Sequence, residues 1–328
     1  MQGTWRRVQV GVRSIVRKEV VEHLGSKRFP LLFALILLSG LATAYFGVQS
    51  VAQARIREAE QEIAFLRLLS GATGSPLPSF VYFVGLFGPI IGIALSFDSI
   101  NREVASGSML KMLSNPIRRD NIITGKIVAG LLIILLLISC ATSLVVGFTM
   151  LMAGFGPSVE GAFRIIYFVF ASFLYVGLWF GVGLLFSIIF RRTTTSALAC
   201  ISLWIFFTIF VYLVVDIIAM EASGLRYYFP SPPLYAYLQY LEIREALSRI
   251  SPFTLYAEAA SALLNPEIRS LSIFYYYAEN LPTPQPLSLD LSIALAWPSF
   301  SALIAAFTVI LTLSIITFMR AEIRPAWA

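Results

Sequence analysis

Few residues in this chain carry reactive or charged chemistry, and a conspicuous group of them falls between Asp98 and Lys126. Asp98, Arg102, Glu103, Lys111, Arg118, Arg119, Asp120 and Lys126 sit between two runs, 79–97 and 127–159, that contain no Asp, Glu, Lys, Arg or His. Charges placed this way can pair with one another or bind a second surface. They supply no nucleophile with a base beside it. The one histidine, His23, reads as an interfacial residue, and Cys140 and Cys200 both lie within apolar runs. That usage excludes a disulfide framework or a CxxC metal site and gives the cysteines a packing role. No HExxH occurs, nor any Gly-x-x-x-x-Gly-Lys-Ser/Thr, so no catalytic residue, metal ligand or nucleotide site is assigned.

The interval itself has five basic residues against three acidic ones, and such a loop faces the cytoplasm by the positive-inside rule. Val104 to Leu113 has helical character, with Met109, Leu110 and Leu113 on one face, and Asn115-Pro116 stops it. A short amphipathic helix at this place either rests on lipid headgroups or enters a groove on another protein. The Met-rich, Lys-poor face suits the groove.

The elements around the loop must hold it at a membrane. Of 328 residues 58% are hydrophobic and 13% charged, with a mean hydropathy of +0.81, whereas about a quarter of a soluble chain is charged. The formal net charge of +6 follows from topology, and no nucleic-acid partner is indicated. The expected fold is all-α with six membrane-spanning helices. Residues 1–28 form a cytoplasmic amphipathic helix, and 29–219 hold spans 1 to 5 with the 98–126 loop between spans 2 and 3. Residues 220–297 form an extracytoplasmic helical segment, and 298–328 hold span 6 and a short cytoplasmic tail. The run that follows the basic amino terminus is long enough to stay as the first span and not as a cleaved signal. The charged helix expected over 51–69 reads as a solvated outer element, broken by Gly71 to Pro78. Gly177 and Gly181, four apart in span 4, predict close helix packing. Ser251 as N-cap, Pro252 at the first helical position and Asn265-Pro266 predict a helix too short to span. Lys and Arg number seven in the amino-terminal segment, five in the loop, two at 191–192 and two in the tail, against eight outside. Both termini are therefore expected to be cytoplasmic.

The loop also resembles a family. Glu103, Gly107-Ser108-Met109, Leu113, Pro116, Arg119 and Gly125-Lys126 are similar, without a gap from Gly107 to Lys126, to the cytoplasmic signature of permease subunits of type-2 ABC (ATP-binding cassette) transporters. The family's charged run before the glycine is here Val104-Ala105-Ser106, its Thr is Ser108, and the Ser before its Arg is Arg118. Residues 8–28, with Lys18-Glu19, resemble the elbow helix of these permeases, and the Ser-Pro-led helix ending near Asn265 is also similar. The resemblance implies a coupling helix in which Glu103, Gly107, Ser108, Met109, Leu110, Lys111, Leu113 and Pro116 meet a separate ATPase. It implies partners: two ABC ATPase subunits, which would hold the ATP and Mg, and a second permease copy or close paralogue, all in the cell (plasma) membrane.

In such permeases spans 2 and 5 approach the dimer axis. Phe83 and Phe87 in span 2, with Phe206 and Phe210 in span 5, then read either as core and lipid-facing packing or as walls of a substrate pathway suited to a lipid, drug or hydrophobic peptide. Export by alternating access is the expected activity. A channel or secondary carrier is one rival, weakened because the spans carry no ionisable residue at their centres. The other is an importer, or a mechanotransmitter, that works with an external binding protein.

Overall fold

The computed structural model describes residues 2–52, 61–71, 77–114, 117–228, 233–267 and 286–321. The described residues are helical, and six of their helices are long and apolar enough to cross a membrane. In chain order they are α1 (Gln2–Gly25), α2 (Arg28–Ala52), α3 (Gln61–Ser70), α4 (Phe80–Ser96), α5 (Asn101–Ala105), α6 (Ser108–Leu113) and α7 (Arg119–Ala153). There follow α8 (Val159–Ile189), α9 (Thr193–Ile205), a π-helical turn (Phe206–Phe210), α10 (Val211–Ala222), α11 (Leu234–Ser248), α12 (Pro252–Leu264) and α13 (Leu289–Arg320). Spans 1 to 4 are α2, α4, α7 and α8; α9, the π turn and α10 run together as span 5, and α13 is span 6. The Asn115-Pro116 stop, most of the Gly71 to Pro78 break and most of the tail lie outside the described residues.

Local chemistry sets several ends. The Ser79 hydroxyl accepts the Tyr82 N–H at the start of α4, and the Ser158 hydroxyl accepts the Gly161 N–H at the start of α8. Gly154, at φ +78°, closes α7 in the left-handed conformation with its N–H on the Met150 carbonyl. At 35 residues α7 is about 52 Å long at 1.5 Å per residue, more than the roughly 30 Å of hydrocarbon. Its excess lies partly on the loop side, where it begins at Arg119, eight residues before the uncharged run.

Span 4 is the centre of the bundle and the most buried of the six. A Cβ on Gly92 of α4 would stand 2.5 Å from the Val176 carbonyl oxygen and 2.7 Å from the Phe180 nitrogen, so the two backbones meet there. On another face, a Cβ on Gly181 would stand 2.5 Å from Ile310 of α13. The expected packing role of the span 4 glycines is where the structure puts them.

Two expectations shift. Of the charged helix expected over 51–69, residues 53–60 lie outside the described residues, and the described part, α3, is buried: Phe65, Leu66 and Leu69 are fully covered, and Phe65 meets Phe155 edge-on at 6.3 Å. Its apolar positions tuck the helix against α2, α4 and α12. Span 5 runs on past Asp216 to Ala222, and α13 starts at Leu289, nine residues before Pro298. The short helix α12, too short to span, is packed between α8, α13 and α4, with Tyr256 wholly buried and stacked 4.7 Å from Tyr175. Helix α11 runs back along α10 and α12 turns away again, so the pair forms a hairpin whose tip, Ser251, re-enters as far as Phe207 in the middle of span 5.

Candidate functional site

The charged residues of the 98–126 loop converge on the amino-terminal helix. Lys126, at the start of α7 and only 3% exposed, lies 3.0 Å from Glu19 and 3.1 Å from Glu103. Lys18 lies 2.9 Å from the same oxygen of Glu103 and 3.1 Å from Glu19. Two carboxylates and two ammonium groups thus balance in a partly water-free node that joins α1, α5 and α7. The ring of pairs continues outward from it, with Arg102 on Glu22 at 2.7 Å and Arg28 on Asp98 at 2.9 Å. Arg28 also stands 5.1 Å over the Phe97 ring, a cation–π contact.

Burial and pairing act against each other here. Burial would raise the Glu19 carboxyl, but Lys126 and Lys18 hold it below its ordinary value. Burial would likewise lower the Lys18 ammonium, and its bonds to Glu103 and Glu19 raise it instead. His23, one turn beyond Glu19, is lowered, chiefly by burial and also by Lys126. It lines a polar cavity of about 100 Å³ together with Arg28, Asp98 and Arg102.

The loop is fixed to the bundle at its base. The Ser187 hydroxyl of α8 accepts the Ile100 and Asn101 N–H groups at 2.9 and 3.2 Å, and the Ser196 hydroxyl of α9 donates to the Phe97 carbonyl at 2.8 Å. Gly107, at φ +71°, turns the chain from α5 into α6, a conformation that a side chain would strain. The Ser108 hydroxyl donates to the Glu103 carbonyl across that turn. Glu103 therefore faces Lys18 and Lys126 with its carboxylate, and its contacts are with α1 and α7 as well as with the turn.

Met109 is fully buried within this chain's own core and presents nothing outward. A methionine on a short apolar stripe reads the same whether it closes onto its own bundle or onto a partner, and here the bundle takes it. Lys111 and Ser114 are the exposed positions of α6 and its exit. The side chains of Leu110 and Leu113, and the whole of Pro116, fall outside the described residues.

The aromatic residues singled out in spans 2 and 5 fall in two pairs. Phe83 and Phe87 stack at 5.8 Å on α4, half-buried, while Phe206 and Phe210 stand about half exposed on the π turn of span 5. The ring contacts of the described residues do not join one pair to the other. Elsewhere in the bundle, Arg164 is fully buried near the start of α8. It donates to the Leu263 and Leu287 carbonyls at 3.0 and 2.6 Å and to the Ser292 hydroxyl at 3.0 Å, and it pairs with Glu160 at 2.8 Å. It holds the end of α12 and the start of α13 against span 4, and sequence reasoning passed over it as the residue just before a span. Lys126 was seen as a loop charge. Its neighbour Gly125, where a Cβ would stand 2.7 Å from Ile15, marks how closely α1 lies against α7.

Among the described residues these groups form an anchoring arrangement of ion pairs and hydrogen bonds. A family model described as "ABC-2 family transporter protein" matches residues 13–323. A comparison with curated proteins found no match.

Proposed function

The chain belongs to the ABC-2 transporter family as a type-2 ABC permease subunit, a multi-pass membrane protein, and from that premise we propose that it exports an amphiphilic substrate by alternating access. Membership implies association with ABC ATPase subunits. In our reading two of them dock on the 98–126 loop, ATP and Mg bind and react there and not in this chain, and this chain pairs with a second permease. The membrane is the plasma membrane, with both termini inside.

The observation that carries this reading is the node of Lys126, Glu19, Glu103 and Lys18. It makes the exposed loop, the amino-terminal helix and span 3 one mechanical piece, so a push on α6 from below reaches a helix that crosses the bilayer. An isolated surface helix resting on headgroups has no need of such a link. Glu103, Gly107 and Ser108 then act as supports for α6 and Lys111 as part of its contact surface. Met109 acts from within, by fixing α6 to the bundle. Phe83, Phe87, Phe206 and Phe210 are proposed to wall the apolar pathway.

The test is reconstitution of the permease with its ATPase in vesicles loaded with labelled phospholipid, cationic drug or hydrophobic peptide. ATP-dependent outward movement of one of them is the expected result. Movement without ATP would make the chain a channel or carrier. Turnover of ATP with none of these amphiphiles moved would favour the mechanotransmitter, and inward movement requiring an added external binding protein would favour the importer.

A further inference from the structure

Span 5 changes register in its middle. Helix α9 ends at Ile205, Phe206–Phe210 form a π turn in which the Val211 N–H reaches the Phe206 carbonyl, and α10 resumes at Val211. A π turn carries one residue more than an α turn and disturbs the i→i−4 ladder, which in a membrane demands partners from neighbouring elements. Phe207 lies about 21 Å along the helix from Thr193, well within the span.

The tip of the re-entrant hairpin supplies those partners. The Ser251 hydroxyl donates to the Phe207 carbonyl at 3.0 Å. Ser251 is the N-cap residue of α12, yet its hydroxyl makes no capping bond. The group best placed to satisfy its own helix serves span 5 instead. Beyond the π turn, the Tyr212 and Thr254 hydroxyls are 2.7 Å apart, and Asp216 receives Tyr240 at 3.2 Å and Arg244 at 2.5 Å. At the inner end Ser196 bonds to Phe97, the residue that leads into the docking loop. Both ends of span 5 are therefore pinned, one to the base of the loop and the other to the hairpin.

With both ends held, the extra residue cannot be absorbed at either end. It can only move along the helix. Each residue that it passes turns by one position, about 100° at 3.6 residues per turn. We propose that Phe206–Phe210 is a register switch, latched by Ser251, and that release of the latch lets the π turn migrate and swings Phe206 and Phe210 to a different face of span 5. The assignment of those two rings to the substrate pathway rests on the function proposed above. The switch itself rests on the π turn and its hydroxyl partner.

Nitroxide scanning of positions 203–214, one at a time in a full-length chain with Cys140→Ser and Cys200→Ser, reads the register directly. In the reconstituted complex with its ATPase, oxygen accessibility should follow a helical period with a phase break at 206–210. Ser251→Ala should move or erase that break, Ser251→Thr should keep it, and trapping the ATPase with nucleotide should move it in the wild-type background. If Ser251→Ala fails to assemble, Tyr212→Phe, which removes only the second hydroxyl contact, is scanned together with the nucleotide-trapped wild type. A break fixed at 206–210 with and without nucleotide overturns the switch, whatever transport does. A break that moves while Phe206→Ala and Phe210→Ala transport as wild type keeps the switch and removes these rings from the pathway.

Discussion

Replacing Lys126 by Met tests whether the ionic node holds the 98–126 loop in place. The wild-type node contains Glu19 and Glu103 against Lys18 and Lys126, and the side chains of Glu19 and Glu103 are 7% and 11% exposed. Without Lys126 two nearly buried carboxylates share Lys18 alone, which is half exposed, leaving one negative charge unpaired. Breaking a buried pair from one side costs about 3–5 kcal/mol. At about 1.4 kcal/mol per factor of ten, the open form of the loop should gain at least about a hundredfold in relative population. Proteolysis follows that population when closing outruns cleavage. Trypsin should therefore cut after the exposed Lys111, Arg118 and Arg119 of the purified Lys126→Met chain at least about a hundredfold faster. Adding Glu103→Gln restores charge balance, with Glu19 still 3.1 Å from Lys18, and should recover part of the loss as a coupling of about 0.5–3 kcal/mol. Unchanged cleavage in Lys126→Met, or a double variant cut faster than the single one, would refute the reasoning.

Arg164→Met should lower the melting temperature in detergent sharply, because it orphans the Leu263 and Leu287 carbonyls at about 1–3 kcal/mol each, and Arg164→Lys should recover only part of it. Gly181→Leu should reduce the yield of assembled complex by forcing α13 off α8, whereas an intact complex with altered substrate selectivity would move Gly181 into the pathway. His23 has a folded-state pKa below the ordinary 6.5, so its contribution to stability is complete above that value and is lost as pH falls from 6.5 toward the folded value. As the chain's one histidine, it gives a single imidazole resonance whose midpoint should lie below 6.5, and His23→Gln should flatten the stability profile in that window. The loss from Glu19 belongs to a lower window, below 4.5.

The spans were legible because a membrane imposes long uncharged runs, and the turn at Asn265 because Asn-Pro leaves few alternatives. The loop was legible as a charged island. Its partners were not, since Lys126 and Glu19 are 107 residues apart and nothing in either neighbourhood names the other. Met109 was assigned outward because helical spacing gives a face but not the direction in which that face points. The burial of α3 was not legible because the charges read over 51–60 were extended to Phe65 and Leu66, whose burial depends on α2, α4 and α12. The π turn left no sequence signal, because Phe206-Phe207-Thr208-Ile209-Phe210 suits an α helix equally well until Ser251 meets it.

The central claim is that a separate ATPase docks on the 98–126 loop from the cytoplasmic side. A photo-cross-linker at Lys111→Cys, in the full chain with Cys140→Ser and Cys200→Ser, tests it in the purified transporter complex and in intact cells. The account predicts one cross-linked product, identified by mass spectrometry as an ABC ATPase, and labelling of the cysteine by an impermeant reagent only after permeabilisation. Labelling of Lys111→Cys in intact cells, or cross-links to lipid alone in a complex that still contains the ATPase, would contradict it.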